Sequence, residues 1–250
     1  GISFDGTGLG DDGHIWGGEI LICDLEGYNR FTHFGYVPMP GGDKVTKEPW
    51  RSAVSYLYKT FGKDFYDLEL DFLKSIPRYK TDMLLEAIDK KINSPLSSSC
   101  GRLFDAVSAL INLCPVSQFH AEAPMRLESI ARENIHQAYS FHLNDTIAFD
   151  PAIREIVADL QQHVPQSVIA AKFHRTMINV IFASAEKVRH ETGLNKVVLS
   201  GGSFQNILML EGAVKKLTNH GFEVFVHEKV PANDGGIALG QLAIAAKRRK

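Results

Sequence analysis

The stretch GISFDGTGLGDDGHIWGGEILICDLEGYNRFTHFGYV, residues 1–37, decides the fold. Short apolar or alternating runs in it are separated by glycine-containing turn signals such as Glu26-Gly27. This pattern is typical of sequential β-strands joined by tight turns. The predicted strands cover residues 1–4, 16–25 and 28–37. We therefore expect an antiparallel meander, with Asp5-Gly6-Thr7-Gly8 in the turn that follows the first strand.

The last part of the chain alternates between strand and helix patterns. It predicts strands at 196–199 and 221–226 and helices at 206–219 and 237–247. Strands that alternate with helices indicate parallel βα units. Added to the meander, they predict an α/β fold with a mixed five-strand sheet and helices on its faces. This is the ribonuclease-H-like arrangement, which forms one lobe of the actin-like ATPase (ASKHA) fold.

The middle of the chain, residues 38–195, is predicted to be helical, and its first part, residues 38–95, is interpreted as an insertion. The breaker cluster that starts at Pro38 separates it from the meander. Beyond the insertion, apolar periodicity predicts helices at 102–114, 122–140, 151–162 and 167–192. We interpret the whole chain, residues 1–250, as a single lobe. Its parts are a strand meander at 1–37, a helical insert at 38–95, helices at 96–195, and a β-α-β-α nucleotide-binding part at 196–250.

Composition excludes several functional classes. The chain has 250 residues, a formal net charge of −2 and 22% charged residues, so no overall field favours nucleic acid or a membrane surface. No apolar run is long enough to span a bilayer. The three cysteines lack C-x-x-C spacing, which predicts a reducing, cytoplasmic compartment.

We interpret the basic run at 247–250 as a solvated helix end. The sequence begins within a predicted strand, and we therefore expect further protein upstream of residue 1.

Three glycine-containing turns are candidate ligand sites. Glycine backbones can approach an anion closely, and carboxylate oxygens can bind a divalent cation. Asp5-Gly6-Thr7-Gly8 is either such a site or a plain hairpin turn. Ser200-Gly201-Gly202 is either a nucleotide-binding turn or a tight βα connection. In Asn233-Asp234-Gly235-Gly236, Asp234 is either a helix N-cap or a metal ligand.

Other polar residues carry weaker signals. Asp105 lies opposite the apolar face of its predicted helix, which favours a solvated carboxylate over a ligand, and the same holds for Glu122 and Glu128. His174 is expected to be a packed or surface residue, and the spacing of the histidines indicates no zinc motif. None of the cysteines has a local setting that argues for a nucleophile.

Several motifs together carry a family resemblance. They are GISFDGTGLGDDGHIWGGEIL at 1–21, MPGGD at 39–43, EPWR at 48–51, SSSCGRLFDAVSAL at 97–110, VVLSGGSFQN at 197–206 and VPANDGGIALGQ at 230–241. In this order they resemble the C-terminal part of the HypF carbamoyltransferases of NiFe-hydrogenase maturation. The resemblance implies a two-lobed actin-like module that transfers a carbamoyl group from carbamoyl-adenylate to the C-terminal cysteine of a HypE-type acceptor, for cyanide-ligand synthesis.

The resemblance also implies roles for individual residues. ATP or carbamoyl-adenylate would be the nucleotide, and a divalent metal ion (Mg, Fe or Zn) would accompany it. Asp5 and Asp234 would be metal ligands. The implied nucleotide-binding residues are Gly6, Thr7 and Gly8 at phosphate, Asp105 and Glu122 at the ribose and neighbouring groups, and Gly201, Gly202 and Asn206 at the adenosine.

The chain departs from the family pattern in two respects. The family's remaining metal ligands lie in an upstream H-H-A-H type motif, and this chain begins after it. Ala121 stands where the family usually has glycine. Two alternatives remain open, namely a small-molecule O-carbamoyltransferase module and a non-catalytic nucleotide-binding module.

Overall fold

The structure, a computed structural model, describes residues 1–249, and Lys250 at the end of the basic run lies outside the described residues. The strands are β1 (Ile2–Leu9), β2 (Ile15–Cys23), β3 (Tyr28–His33), β4 (Val37–Pro38), β5 (Leu96–Ser97), β6 (His142–Leu143), β7 (Ile147–Ala148), β8 (Lys196–Ser200) and β9 (Glu223–Phe225). The helices are α1 (Lys44–Lys47), α2 (Pro49–Phe61), α3 (Asp71–Lys74), α4 (Arg78–Asp89), α5 (Cys100–Leu110), α6 (Glu122–Ser129), α7 (Asp150–Gln161), α8 (Gln166–Thr192), α9 (Ile207–Asn219) and α10 (Ile237–Arg248). Short 3-10 turns lie at Gly62–Asp67, Gly202–Gln205 and Asp234–Gly236.

The main sheet has the predicted mixed topology. Its five principal strands run in the order β3-β2-β1-β8-β9, antiparallel among the first three and parallel from β1 to β9. This confirms the ribonuclease-H-like order. The two-residue strands β4 and β5 extend the sheet at the start of β2, through the pair Ile15 and Ser97. The sequence did not predict them, because a two-residue strand leaves no alternation to detect.

The predicted turn at residues 5–8 is wrong. Strand β1 continues to Leu9, and the hairpin turn lies in the following residues. Phe4 pairs with Gly18 and Gly8 pairs with Trp16, so four steps of β1 oppose two steps of β2. Asp5, Gly6 and Thr7 therefore form a bulge inside the strand. A bulge redirects side chains away from the regular ladder, which here separates Asp5 from the pairing pattern.

One face of the sheet carries the core. Ile2, Phe4, Ile20 and Leu199 are buried in one cluster with apolar side chains of α5, α8 and α9. Phe4 contacts two further rings, with centroids 4.8 Å away at Phe34 and 5.5 Å away at Phe204. Helices were expected on both faces. The opposite face instead stays largely open in residues 1–249, with Val198 44% and Phe225 43% exposed.

The helices follow the predicted order with one shortened segment. Helices α7 and α8 lie within one residue of the predicted limits. The helix expected at 122–140 ends at Ser129. Its continuation breaks at Arg132, whose backbone N–H donates to Ser167 of α8, and at Asn134, which has a positive φ of 63°. The strand expected at 28–37 likewise ends at His33, because Phe34 turns into the core.

The last helix is unusual for a globular domain. Although α10 is rich in apolar residues, no side chain of α10 is buried in the described residues, and Leu242 is 69% exposed. An ion pair from Lys247 to Glu26, 3.4 Å long, links it to the turn between β2 and β3. Among residues 1–249, no helix combines the length and apolarity needed to cross a membrane. An apolar helix in this position is expected to be covered by something else.

Candidate nucleotide and metal site

The end of β8 packs directly against β1. Gly201 has a positive φ of 104°, and a Cβ placed there would lie 2.2 Å from the carbonyl oxygen of Phe4. Only glycine fits such a contact without displacing the central strand. The N–H of Gly201 also donates to the carbonyl of Ala232 at 2.9 Å. The tight βα turn therefore joins β1, β8 and the loop that precedes α10.

The three predicted site turns come together around Gly202. A Cβ on Gly202 would lie 3.0 Å from Asp5 Oδ1 and 3.7 Å from the Cβ of Asn233. The loop that carries Asp234 is thus next to Gly202, and Gly202 is next to the Asp5 carboxylate. Asp234 is exposed, and the cap of the adjoining 3-10 turn is Asn233, whose side chain accepts from the N–H of Gly235. The N-cap interpretation of Asp234 is therefore wrong.

The first turn of α5 approaches the same point. Ser99 caps this helix by accepting from the N–H of Arg102, and its hydroxyl donates to the carbonyl of Asp5 at 3.3 Å. A Cβ on Gly101 would lie 3.1 Å from the Cα of Gly6. A helix N-terminus carries a partial positive charge that favours anions. The bulge at Asp5–Thr7 thus lies between a helix N-terminus and a glycine turn.

The residues present suit a divalent cation only in part. Asp5 and Asp234 offer carboxylate oxygens, the ligand type that hard divalent cations prefer. The glycine at 202 leaves the space beside Asp5 Oδ1 that a Cβ would fill. Within residues 1–249, however, no three His, Cys, Asp or Glu side chains gather as a metal site. Asp5 and Asp234 would therefore supply part of a ligand set.

Both polar atoms of the Asn206 side-chain amide have partners within the protein. Its Oδ1 accepts from the N–H of Met209 and caps α9, and its Nδ2 is 2.8 Å from His174 Nε2. His174 is buried, which selects the packed alternative over the surface one, and its Nδ1 is 2.8 Å from the carbonyl oxygen of Ala170. Burial lowers the pKa of His174 to about 4, so the ring is neutral near pH 7. The role of Asn206 at an adenosine remains a prediction.

The expectation of solvated carboxylates at Asp105 and Glu122 is wrong. The Asp105 side chain is 3% exposed and lies 2.8 Å from Arg102 Nη2, outside hydrogen-bond geometry, so Oδ2 lacks a hydrogen-bond donor in the described residues. Glu122 accepts from the N–H of Gln118 and pairs with Arg126 at 2.6 Å. The helical wheel missed this because neighbouring elements cover the polar side of α5. Their nucleotide roles remain predictions.

The burial of Asp105 makes stability depend on pH. Burial raises its pKa from 3.8 to about 6, against the attraction of Arg102. Between these values the folded protein binds the proton more tightly than the unfolded chain, so the stability contributed by the protonated form is lost as pH rises through 6. The gap of about two pH units, at about 1.4 kcal/mol each, corresponds to about 3 kcal/mol.

We therefore expect Asp105→Asn to lose this dependence. The free energy of unfolding of the variant, minus that of the wild type, should rise by about 2 kcal/mol from pH 4 to pH 7. Urea unfolding at several pH values measures it. A difference that stays constant over this range would contradict the buried, protonatable state of Asp105.

The two buried cysteines are poorly placed to act as nucleophiles. Cys100 and Cys114 are buried, and burial raises the pKa of Cys100 to about 12 and also raises the pKa of Cys114. A thiol with a raised pKa is a poor nucleophile near pH 7. Cys23 is exposed. The expectation that neither buried cysteine acts as a nucleophile agrees with these surroundings.

The tertiary structure reveals polar contacts that the sequence analysis missed. Glu128 was expected to be solvated, but its Oε1 accepts from the N–H of Leu208 and thereby links α6 to the start of α9. Ser200 Oγ lies 2.9 Å from His227 Nε2. His227 borders a cavity of about 210 Å³ whose lining is otherwise mainly apolar: Leu199, Phe204, Gln205, Leu210, Val226, Val230, Pro231 and Ala232. No sequence motif identifies these pairs, since their members are far apart along the chain.

The backbone at Ala121 explains why glycine would be favoured there. Ala121 has φ 59° and ψ 21°, the left-handed conformation, at the start of α6. Side chains other than glycine adopt it at a cost. The substitution noted in the sequence is therefore placed at a strained position beside Glu122.

The five-strand sheet, the glycine turn after β8 and the aspartate in β1 define one lobe of the actin-like class. Residues 1–241 match the family described as "Carbamoyltransferase, Kae1-like Domain, second subdomain". The chain belongs to this HypF family.

Individual relatives agree with the family assignment. Carbamoyltransferase HypF of Rhodobacter capsulatus is 35% identical over 99% of this chain, and that of Synechocystis is 31% identical over 100%. A crystal structure of full-length HypF in the phosphate- and nucleotide-bound form superposes with a TM-score of 0.91 at 42% identity, covering 98% of this chain. HypF of T. kodakarensis gives 0.86 at 25% identity, covering 99% of this chain.

The chain spans only part of these relatives. It covers 32% and 34% of the two curated sequences and 39% and 34% of the two solved chains. The activities of the full-length relatives are therefore properties of longer proteins, to one part of which this chain corresponds.

Proposed function

We propose that this chain supplies one half of the site at which a HypF-type enzyme transfers a carbamoyl group from carbamoyl-adenylate. The observation that carries the proposal is the packing of Gly201 and Gly202 against β1, with Asp5 and the Asn233-Asp234 loop on either side of Gly202. This arrangement can hold a phosphate next to carboxylates. The relative solved in a phosphate- and nucleotide-bound form supports the same ligand class.

The nucleotide would lie along the glycine turns. Gly6, Thr7 and Gly8 would meet phosphate, with the Thr7 hydroxyl and the backbone N–H groups of Thr7 and Gly8 as donors. Gly201, Gly202 and Asn206 would line the adenosine. Asp105 and Glu122 would hold the ribose and nearby groups. ATP and carbamoyl-adenylate share these adenosine and phosphate groups, so both fit the proposal.

A divalent metal ion would be held by Asp5 and Asp234 together with ligands from elsewhere. It would neutralise charge on the phosphate as the leaving group departs. Mg, Fe and Zn all accept carboxylate oxygen, so the two ligands do not distinguish them.

The transfer itself requires an external thiol. The thiol loses its proton to a base, its sulfur bonds to the carbamoyl carbon, and the bond from that carbon to the phosphate oxygen breaks to release AMP. The raised pKa values of Cys100 and Cys114 support a thiol from another protein. We propose a HypE-type acceptor with a C-terminal cysteine, as the family resemblance implies, and cyanide-ligand synthesis as the outcome.

An upstream subdomain is the proposed partner within the same protein. The family description names this segment a second subdomain, and relatives are about three times its length. The open sheet face at Val198 and Phe225 and the uncovered helix α10 are apolar surfaces of the kind that a packed neighbour covers. We propose that the first subdomain covers them and supplies the remaining metal ligands. Three free cysteines, two of them buried, support a cytoplasmic location.

The proposal is tested by supplying the two halves separately. We expect this chain to bind ATP weakly with Mn²⁺ and to transfer no carbamoyl group by itself. Addition of the upstream part of a HypF protein should restore AMP release and S-carbamoylation of the cysteine of a HypE C-terminal peptide. Isothermal titration and mass spectrometry of the peptide measure the two steps.

Two outcomes would contradict the proposal. Full transfer by this chain alone would show that the site is complete here. Nucleotide binding without any transfer in the reconstituted protein would favour the non-catalytic module. The relatives described above are all named HypF, which favours this family over the small-molecule O-carbamoyltransferases.

A further inference from the structure

The bulge in β1 needs support from the neighbouring strand. Between the pairs Phe4–Gly18 and Gly8–Trp16, β1 contains two residues more than β2. Backbone N–H groups that lose a ladder partner must find another acceptor, because leaving them unpaired is costly. Glu19 provides one here: its Oε1 accepts from the N–H of Gly17 at 3.1 Å and of Gly18 at 3.2 Å.

The same carboxylate reaches the segment that begins α5. Ser98 Oγ donates to Glu19 Oε1 at 2.5 Å, and the next residue, Ser99, donates to the carbonyl of Asp5. A Cβ on Gly17 would lie 2.7 Å from that carbonyl. Glu19 thus fixes the two segments between which the Asp5 backbone is held, namely β2 and the cap of α5.

Arg30 balances the charge of Glu19. Its Nε lies 2.6 Å from Glu19 Oε2, and the Glu19 side chain is only 4% exposed. Arg30 is itself held by Asp12 at 2.9 Å, by the Tyr36 hydroxyl at 2.8 Å, and by the Trp16 ring, whose centroid is 3.9 Å from its Cζ. A buried ion pair often adds little stability over apolar residues of similar volume, so the stability of the fold does not by itself account for this pair.

We infer that Glu19 is a positioning residue for the metal and phosphate site. It holds Asp5 and the N-terminus of α5 in place without touching the ligand. The inference rests on the proposed function for the ligand, but the positioning of the bulge is a separate property of the chain. Glu19, in the run Trp16-Gly17-Gly18-Glu19, therefore has a role that differs from the proposed ligation of the metal by Asp5 and Asp234.

The test compares Glu19→Gln with Asp159→Asn in the full chain. Asp159 forms another partly buried ion pair, 2.7 Å from Lys172 and remote from β1. At a temperature where both variants are folded by circular dichroism, we expect Glu19→Gln to lose hydrogen-exchange protection in residues 4–10. Titration of Mn²⁺ should show a loss of affinity of about 10-fold or more, the usual cost of removing a group that orients a ligand. Asp159→Asn should leave both quantities at the wild-type value.

Equal protection and equal Mn²⁺ affinity in the wild type and Glu19→Gln would overturn the inference. If Glu19→Gln does not fold, Ser98→Ala removes one contact of the same carboxylate and should show a smaller loss in the same two measurements. No change in Ser98→Ala would then overturn it. If the wild-type chain does not bind Mn²⁺ without the upstream ligands, the hydrogen-exchange comparison alone decides whether Glu19 positions the bulge.

Discussion

Replacement of Asp5 or Asp234 by asparagine is expected to abolish the dependence of nucleotide binding on a divalent cation. Asparagine keeps the size of the side chain and removes its negative charge. At Asp5 the amide oxygen can still accept the hydrogen bond that Oδ1 receives from the Gly6 N–H at 2.7 Å, so the backbone should stay in place. The loss of Mn²⁺ affinity should exceed the 10- to 100-fold typical of outer groups that only orient a ligand.

Paired titrations measure this effect. ATP is titrated with and without Mn²⁺ into the wild type, the two variants and Asp71→Asn. Asp71 is an exposed carboxylate, 3.2 Å from Lys74 in the helical insert, and its variant controls for the loss of one surface charge. If Asp5→Asn and Asp234→Asn respond to Mn²⁺ as Asp71→Asn does, the two residues are not metal ligands.

Gly201→Ala is expected to have the largest effect on stability. The added Cβ would lie 2.2 Å from the carbonyl oxygen and 2.9 Å from the nitrogen of Phe4. Phe4 is in the central strand β1 and its side chain is fully buried, so β1 cannot move away from Gly201 without disrupting the packing of the core. The positive φ of 104° adds backbone strain. We expect a loss of about 4 kcal/mol or more in the free energy of unfolding, measured by urea denaturation.

Two other glycines separate the causes. Gly221 also has a positive φ, 80°, but a Cβ there has no neighbour within 4 Å, so Gly221→Ala should cost only about 1–2 kcal/mol. Gly240 lies in α10 with open space around it, and Gly240→Ala should be neutral or stabilise by up to about 1 kcal/mol. A similar cost at Gly201 and Gly221 would show that the close approach to Phe4 does not determine stability.

The order of the principal strands was predictable because it depends on local signals. The alternating run in β2, the apolar run in β8 and the long amphipathic pattern of α8 each carry a period that can be read without the fold. The rule that a parallel βα unit follows in the same sheet then leaves few topologies. The glycine turn at Gly201-Gly202 was identified for the same reason, since a strand and a helix meet there.

The environment of single residues was less predictable. Asp105 lies on the polar side of its helix, as the wheel indicates, and is nevertheless buried, because a helical wheel describes one helix and not what packs against it. Strand β1 continues through Asp5 and Gly6, although the Asp-Gly pair favours a turn, because the neighbouring β2, Ser99 and Gly202 hold the bulge from several sides. Tertiary contacts override local preference in such cases.

The sequence by itself determined the fold class, the order of the strands, and the family to which the motifs belong. These properties depend on residue type and spacing, which neighbouring residues along the chain carry. Only the tertiary structure decided that Asp5 is in a bulge, that Gly202 separates it from the Asp234 loop, and that Glu19 holds the bulge through β2 and α5. The contacts from Ser98 to Glu19 and from Gly202 to Asp5 join residues that are about 80 and about 200 positions apart, and distances between remote segments are set by packing rather than by local pattern.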